Sequence, residues 1–435
     1  TFGIDTDTAS YTLARRYIRS GYRPPAGSVR MEEFVNAFDY NYPSQGDRLF
    51  TTHAEAGPAP FGDKLTLLKI GVQAKTIGRA ARKPAHLVFL VDASGSMDRA
   101  DRLPLARFAL KSLVGQLGRS DRITLIAYGT KTHLLLDAEE ATDRRKIDAA
   151  IDSIQPGRST NMIDALGAAY AQAKRHFRPG RINRVILCSD GVANIGQTDA
   201  DAMLRRVAAD RKQGITLTTV GFGVGGYNDQ VMEQLANRGD GQYVFIDSRD
   251  EAKRVFVDKL GATLQTVAKD AKIQVEFNPQ RVRRYRLVGY ENRDIADEDF
   301  RNDQVDAGEV GSGQSATALY EVELIGTSGP DPARDLGTVR VRYRDLETNK
   351  IEEIQQRLPS RLVQNRSVET DPRFYLAASA AEFAEILRRS PHARGSKLPG
   401  VAALMRRVVH HLPLDKKAAE LLQLIRSTEG LPDAP

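Results

Sequence analysis

The sequence predicts an α/β fold: a mostly parallel sheet with helices on both faces, inserted in a β-sandwich and flanked by helical N- and C-terminal segments. Three observations lead there. Between residues 84 and 266 short apolar runs alternate with amphipathic helical patterns, which indicates a parallel sheet covered on both sides. From 267 to about 365 the runs become short strands separated by Gly, Pro, Asp and Asn turn signals. A single strand pattern at 65–72 lies on the other side of the α/β stretch. Pairing it with the later β-rich block makes the α/β region an insertion.

Residues 1–60 carry two helical patterns, near 9–19 and 32–38, divided by the Pro24-Pro25 breaker. Residues 61–83 add the strand at 65–72, followed by a basic, Ala-rich connector over 79–84. The domain at 84–266 offers strands at 87–92, 123–128, 132–136, 184–189, 216–221 and 242–246. Helices fall near 103–117, 144–154, 163–177, 200–213 and 230–237, and a last continuous one over 249–264. A second connector at 268–271 opens the β-rich domain of 267–365, whose strands are 272–277, 285–289, 318–324, 337–343 and 351–358. Three helical patterns return over 366–435, interrupted by Pro391 and Pro399.

Composition narrows the function. With 435 residues, 41% of them hydrophobic and 27% charged, the chain has the balance of a multi-domain globular protein. No apolar run approaches the ~18 residues of a membrane span. The chain opens on Thr1 rather than Met, as a processed or a trimmed chain does, and membrane association is expected only through a signal or lipid anchor outside it. The one cysteine, Cys188, excludes an internal disulfide framework and a Cys-based zinc site, and its apolar run reads as a buried strand. The net charge of +7 is spread thinly. Its densest stretch, Arg281, Arg283, Arg284 and Arg286 around Tyr285, divides between the two faces of a strand and reads as a solvated sheet edge. No nucleic-acid partner is expected.

The chemistry concentrates in three loops. The first strand of the α/β domain ends in Asp92-Ala93-Ser94-Gly95-Ser96, a D-x-S-x-S pattern just beyond a strand's carboxyl end. Ser159-Thr160-Asn161 precedes a helix, and Ser189-Asp190-Gly191 closes another strand. Ligand sites in such sheets lie at this edge, beside a topological switch point. Asp92, Ser94, Ser96, Thr160 and Asp190 offer two carboxylates and three hydroxyls, all oxygen donors. Such a set suits Mg²⁺, with Mn²⁺ or Ca²⁺ as alternatives, and disfavours zinc or copper.

This arrangement resembles the metal-ion-dependent adhesion site (MIDAS) of the Rossmann-like von Willebrand factor A (VWA) and integrin I domains. By that resemblance Ser94, Ser96 and, in the ligand-engaged state, Thr160 bind the metal directly, and Asp92 and Asp190 complete the site directly or through water. Three neutral hydroxyls leave a dication only partly neutralised, so a carboxylate from a partner is expected to replace one of its waters. The openings Phe2-Gly3-Ile4-Asp5-Thr6-Asp7-Thr8-Ala9-Ser10-Tyr11, Arg30-Met31-Glu32-Glu33-Phe34-Val35-Asn36 and Phe38-Asp39-Tyr40-Asn41-Tyr42-Pro43 look like those of bacterial YfbK-like VWA proteins. That likeness implies export to the bacterial cell envelope, periplasmic or lipid-anchored, with a cytoplasmic site left open.

The resulting expectation is a metal-dependent protein-binding protein with no catalytic residues and no organic cofactor. A scaffold or assembly factor working with an ATP-driven partner is the first alternative, and a metal-assisted hydrolase the second. Ser94 lacks a G-x-S-x-G elbow and no phosphate-binding loop occurs. The Gly221–Gly226 stretch ends a late strand, which speaks against a dinucleotide site and for a turn around the metal. Arg238-Gly239-Asp240 reads as a helix-stop turn, and His410 and His411 as helix surface.

Overall fold

The structure is a computed structural model that describes residues 1–62, 64–157, 161–191, 197–223, 229–326, 335–393 and 395–434. In chain order the elements begin with β1 (Phe2–Gly3), α1 (Ala9–Arg19), α2 (Met31–Asn36), β2 (Phe50–Pro58) and β3 (Thr66–Ala74). Next come β4 (Ala85–Asp92), α3 (Leu103–Val114), β5 (Arg122–Tyr128), β6 (Thr132–Glu140), α4 (Arg144–Asp152), α5 (Met162–Arg175) and β7 (Ile182–Ser189). They are followed by α6 (Gln197–Arg211), β8 (Ile215–Phe222), α7 (Asp229–Arg238), β9 (Tyr243–Ile246), α8 (Arg249–Lys253) and α9 (Leu260–Leu264). The last group is β10 (Thr266–Phe277), β11 (Val282–Val288), β12 (Gly308–Gly311), β13 (Ser315–Leu324), β14 (Gly337–Asp345), β15 (Ile351–Leu358), α10 (Pro372–Arg388), α11 (Leu398–His411) and α12 (Lys416–Ser427). The contacts separate two units: Ile77–Gln265, and the two segments Thr1–Thr76 and Thr266–Pro435 together.

In the inserted unit, β4 is buried along its whole length, as a central strand covered on both faces must be. The strand order is β6-β5-β4-β7-β8-β9, parallel throughout except for β6, which runs antiparallel to β5. Leu87, Phe89 and Val91 pack with Leu110 and Leu113 of α3 and Ile147 of α4, while α5 lies against β4, β5 and β7. Because β4 pairs with β5 on one side and β7 on the other, the chain leaves it in opposite directions. The carboxyl ends of β4 and β7 therefore flank a switch-point crevice. The two ends of the unit meet, the Lys83 amide donating to Gln265 Oε1 at 3.1 Å.

The helix expected over 249–264 is not continuous. A π-turn over Arg254–Asp258 separates α8 from α9. Gly261 is a weak helix former, and the Thr263 hydroxyl bonds back to the carbonyls of Val255 and Lys259 at 3.0 and 3.1 Å, which competes with regular winding.

The host unit is a β-sandwich with helices. One sheet runs β11-β13-β3-β2, the other β1-β10-β14-β15 with β12 also on β10. Phe50 of β2 meets Tyr343 of β14 (4.6 Å between ring centroids) and Phe277 of β10 meets Tyr320 of β13 (5.3 Å), so the sheets pack face to face. β3 lies between β2 and β13, antiparallel to both, which makes the α/β unit an insertion into one sheet. Gly71 of β3 admits the Tyr42 ring, since a Cβ there would fall 2.2 Å from it. Helices from both ends of the chain share one core, in which Phe34 of α2 touches Tyr11 of α1 and Phe383 of α10 at 5.5 and 6.1 Å.

Two sequence expectations are corrected here. The stretch read as an N-terminal helical segment also supplies β1 and β2. β2 is an edge strand ending in Pro58, and its His53 and Glu55 blur the apolar alternation. The stretch 268–271 is not a connector but part of β10, whose register shifts between Lys269 and Lys272, with Asp270 at φ 52°.

The opening motifs serve this host core. Asn36 donates to the Asp5 carbonyl (2.9 Å) and accepts from the Thr317 amide (2.7 Å), and Glu33 accepts the Ser10 amide at 2.8 Å. Glu32 is fully buried and accepts the Tyr290 amide at 3.0 Å. Burial, and next the charge of Asp5, raise its carboxyl from 4.5 to about 7. Between those two values the folded chain keeps a proton that the unfolded chain releases, so this stability is complete below pH 4.5 and is lost as pH rises through 7. Glu32→Gln, which cannot ionise, is expected to flatten the fall of melting temperature between pH 5 and 8. At pH 8 it should stabilise by up to roughly 3 kcal/mol. Thermal unfolding of both proteins across that range checks this, and an unchanged slope contradicts it.

Candidate metal centre

The β4 strand delivers Asp92 to its carboxyl end with the side chain fully buried. Oδ1 accepts the Ser94 amide at 2.8 Å, which turns the chain sharply out of the strand. Oδ2 accepts the Ser189 hydroxyl at 3.0 Å, joining the end of β4 to the end of β7. One residue on, Asp190 is buried, and Gly191 turns away at φ 83° while its amide donates to Ser189 Oγ at 3.2 Å. After Ser94 a single 3₁₀ turn, Gly95–Met97, anchored by buried Met97, brings Ser96 Oγ to 2.9 Å from Ser94 Oγ. Ser96 is exposed and faces solvent. The loop is braced on both sides: Ala93 donates to the Tyr128 carbonyl (2.7 Å), and its own carbonyl accepts the Gly157 amide (2.6 Å).

Four of the five expected residues, Asp92, Ser94, Ser96 and Asp190, thus come together at the switch-point edge. Thr160 lies outside the described residues, as do Val224–Asn228 of the glycine-rich stretch. Asn161 is described, and caps α5 by accepting the Asp164 amide at 3.2 Å.

Burial raises the Asp92 pKa above the usual carboxylate range; the Ser94 and Ser189 hydrogen bonds oppose this, and the Asp190 charge adds to it. The Tyr128 hydroxyl is pushed well up by burial and then by Asp92. Two carboxylates held out of water side by side are unfavourable, and cations placed against them relieve this. The donors are oxygens only, two charged and the rest hydroxyl. That set fits a small hard divalent ion and lacks the imidazole or thiolate that zinc or copper prefer.

Sequence reasoning missed Arg102. It precedes α3 in the charged stretch Asp98-Arg99-Ala100-Asp101-Arg102, where spacing gives no sign that one arginine turns inward. In the structure it is buried, donates to the Ser96 carbonyl at 2.8 Å and forms an ion pair with Asp190. Ser189 was likewise read only as a neighbour of Asp190.

Over its full length the chain is 33% identical to YfbK of Escherichia coli (strain K12), covering 78% of that protein. Residues 262–431 match the model described as the C-terminal region of YfbK. The chain belongs to the YfbK family of VWA proteins. Residues 86–258 match the von Willebrand factor type A domain, and residues 1–69 a further model described as von Willebrand factor. A second relative, sll0103 of Synechocystis sp., is 25% identical over 213 residues, 49% of this chain and 50% of that protein. Among solved structures, a von Willebrand factor type A protein from Catenulispora acidiphila superposes with a TM-score of 0.50 at 17% identity. It covers 86% of this chain and 88% of its own, a likeness of fold.

In this YfbK-family chain the other motifs take structural places. Arg238-Gly239-Asp240 closes α7, with Asp240 buried at φ 47° and paired to Arg211 at 2.8 Å. The arginines of edge strand β11 face cross-strand carboxylates: Arg284 pairs with Glu323 at 2.5 Å and Arg286 with Glu321 at 2.9 Å. Cys188 is buried in β7, and burial pushes its thiol up to about 12, so it stays an unreactive thiol. No helix among the described residues is long and apolar enough to cross a membrane.

Proposed function

We propose that this YfbK-family protein binds a partner protein through a divalent ion held by Asp92, Ser94, Ser96, Thr160 and Asp190. Mg²⁺ is the expected ion, with Mn²⁺ or Ca²⁺ able to substitute. The observation that carries the reading is the meeting of buried Asp92, Ser94, exposed Ser96 and Asp190 at the switch-point edge of a VWA sheet. Bound there, the ion supplies an incompletely neutralised positive charge at the protein surface. Asp92 and Ser189 fix the loop ends, and the Ser94–Ser96 turn presents the Ser96 hydroxyl toward solvent. The recognition element on the partner is an Asp or Glu carboxylate. The protein is a binding protein rather than an enzyme, and the family resemblance supports a place in the bacterial cell envelope.

The test is a capture experiment from envelope extract in Mg²⁺, eluted with EDTA, with Ser94→Ala as the control. Partners held by wild type, released by EDTA and absent from the Ser94→Ala eluate support the reading. Retention that ignores EDTA sinks it.

A further inference from the structure

The buried arginine at the metal centre has no part in the oxygen-donor set, yet the fold makes a place for it. Arg102 donates to the Ser96 carbonyl and is paired with Asp190, and the side chains of that pair are only 5% and 3% exposed. The end of β8 provides the room: Gly223 sits at φ +69°, and a Cβ there would lie 2.5 Å from Arg102 Nε. Three strand ends therefore contribute to one guanidinium berth, with Ser96 following β4, Asp190 following β7 and Gly223 following β8.

Charge decides what the berth does. Asp92 and Asp190 carry two negative charges when ionised, and Arg102 removes one of them. A divalent ion added to this set leaves one positive charge in surplus, in a partly buried place where such a surplus is poorly screened. One carboxylate from outside cancels it. Without Arg102 the same ion would be neutralised by the two aspartates alone.

We infer that Arg102 is a built-in counter-cation that weakens divalent binding on its own and couples it to binding of an acidic ligand. It thereby sets the site's specificity for carboxylates. This rests on the metal reading above. A cation tethered by the chain already occupies part of the electrostatic demand of the two aspartates, and the centre reaches neutrality only as protein, metal and acidic ligand together.

Calorimetric titration of the full chain with Mn²⁺ tests this, in carboxylate-free buffer and again with acetate as the carboxylate probe. Wild type should bind Mn²⁺ weakly alone and about tenfold or more tighter with acetate. Arg102→Gln should bind Mn²⁺ about tenfold or more tighter than wild type without acetate, and gain little from it. Arg102→Lys keeps the charge and should keep the acetate dependence. Equal or weaker Mn²⁺ binding by Arg102→Gln, or the same acetate gain in both, overturns the assignment of Arg102 and leaves the metal reading standing. Mn²⁺ binding by none of the proteins overturns the metal reading, and this inference with it. Should Arg102→Gln lose its cooperative unfolding transition, wild type decides: Mn²⁺ affinity indifferent to acetate overturns the inference.

Discussion

Asp92→Asn is expected to weaken divalent binding by more than about 100-fold while the protein stays folded. Loss of a residue that merely orients a metal ligand typically costs 10–100-fold, and Asp92 supplies half of the aspartate charge of the set. Asn keeps the shape: its amide oxygen can still accept the Ser94 N–H, and its amide nitrogen can donate to Ser189 Oγ where the carboxylate accepted. The loop should therefore hold its turn, and the loss should come from charge rather than collapse. Mn²⁺ titration with a parallel melting curve separates these causes. Near-wild-type affinity in Asp92→Asn would remove Asp92 from the site. A melting temperature that falls together with binding would make Asp92 a structural brace.

The second large effect lies far from the metal centre in sequence. Phe34→Ala should destabilise the host unit by about 3–5 kcal/mol, through lost apolar transfer and the cavity left behind. Phe34 is fully buried, and its ring edges touch Tyr11 and Phe383, so it joins the first helices of the chain to α10 near its end. The same core holds Phe38, Leu319 and Val288, whose backbones belong to separate segments and cannot all move to close the gap. Denaturant unfolding should show the midpoint of the host transition falling with its slope preserved. A change below about 1 kcal/mol would mean that this core yields more readily than its packing suggests.

The legibility of this fold followed from where polarity had been removed. Five of the six strands of the inserted unit are largely buried, so they stand out as apolar runs, and the exposed edge strand β6 shows itself by Leu134-Leu135-Leu136. In the host unit β3 and β13 are likewise nearly continuous buried runs, and β14 alternates against a packed sheet. Strands that escaped notice lacked that pressure: β1 has two residues, β12 is a short glycine-bounded strand, and β2 is an edge whose Glu55 is spent on buried Lys69 at 2.9 Å. At the site, the D-x-S-x-S spacing was legible because a turn after a strand forces those side chains together. Arg102 was not, because its partner Asp190 is 88 residues away and only the folded chain relates them. The break in the last helix was hidden for a similar reason: the Thr263 hydroxyl reaches the Val255 carbonyl across two turns, which helical periodicity does not reveal.

The insertion also dictates an order of events during synthesis. In the finished sheet Gly71 of β3 faces Thr317 of β13. The ribosome must therefore make the whole α/β unit after β3 has emerged and before its inner neighbour exists. β3 is apolar and almost wholly buried in the native sheet, so during this interval it is a bare strand edge, the kind of surface that joins the wrong partner. β2 precedes it within one hairpin and can cover only one side. The inserted unit closes on itself through local βα pairings and can fold during the wait, while the host is a late assembler whose yield depends on how long β3 is shielded.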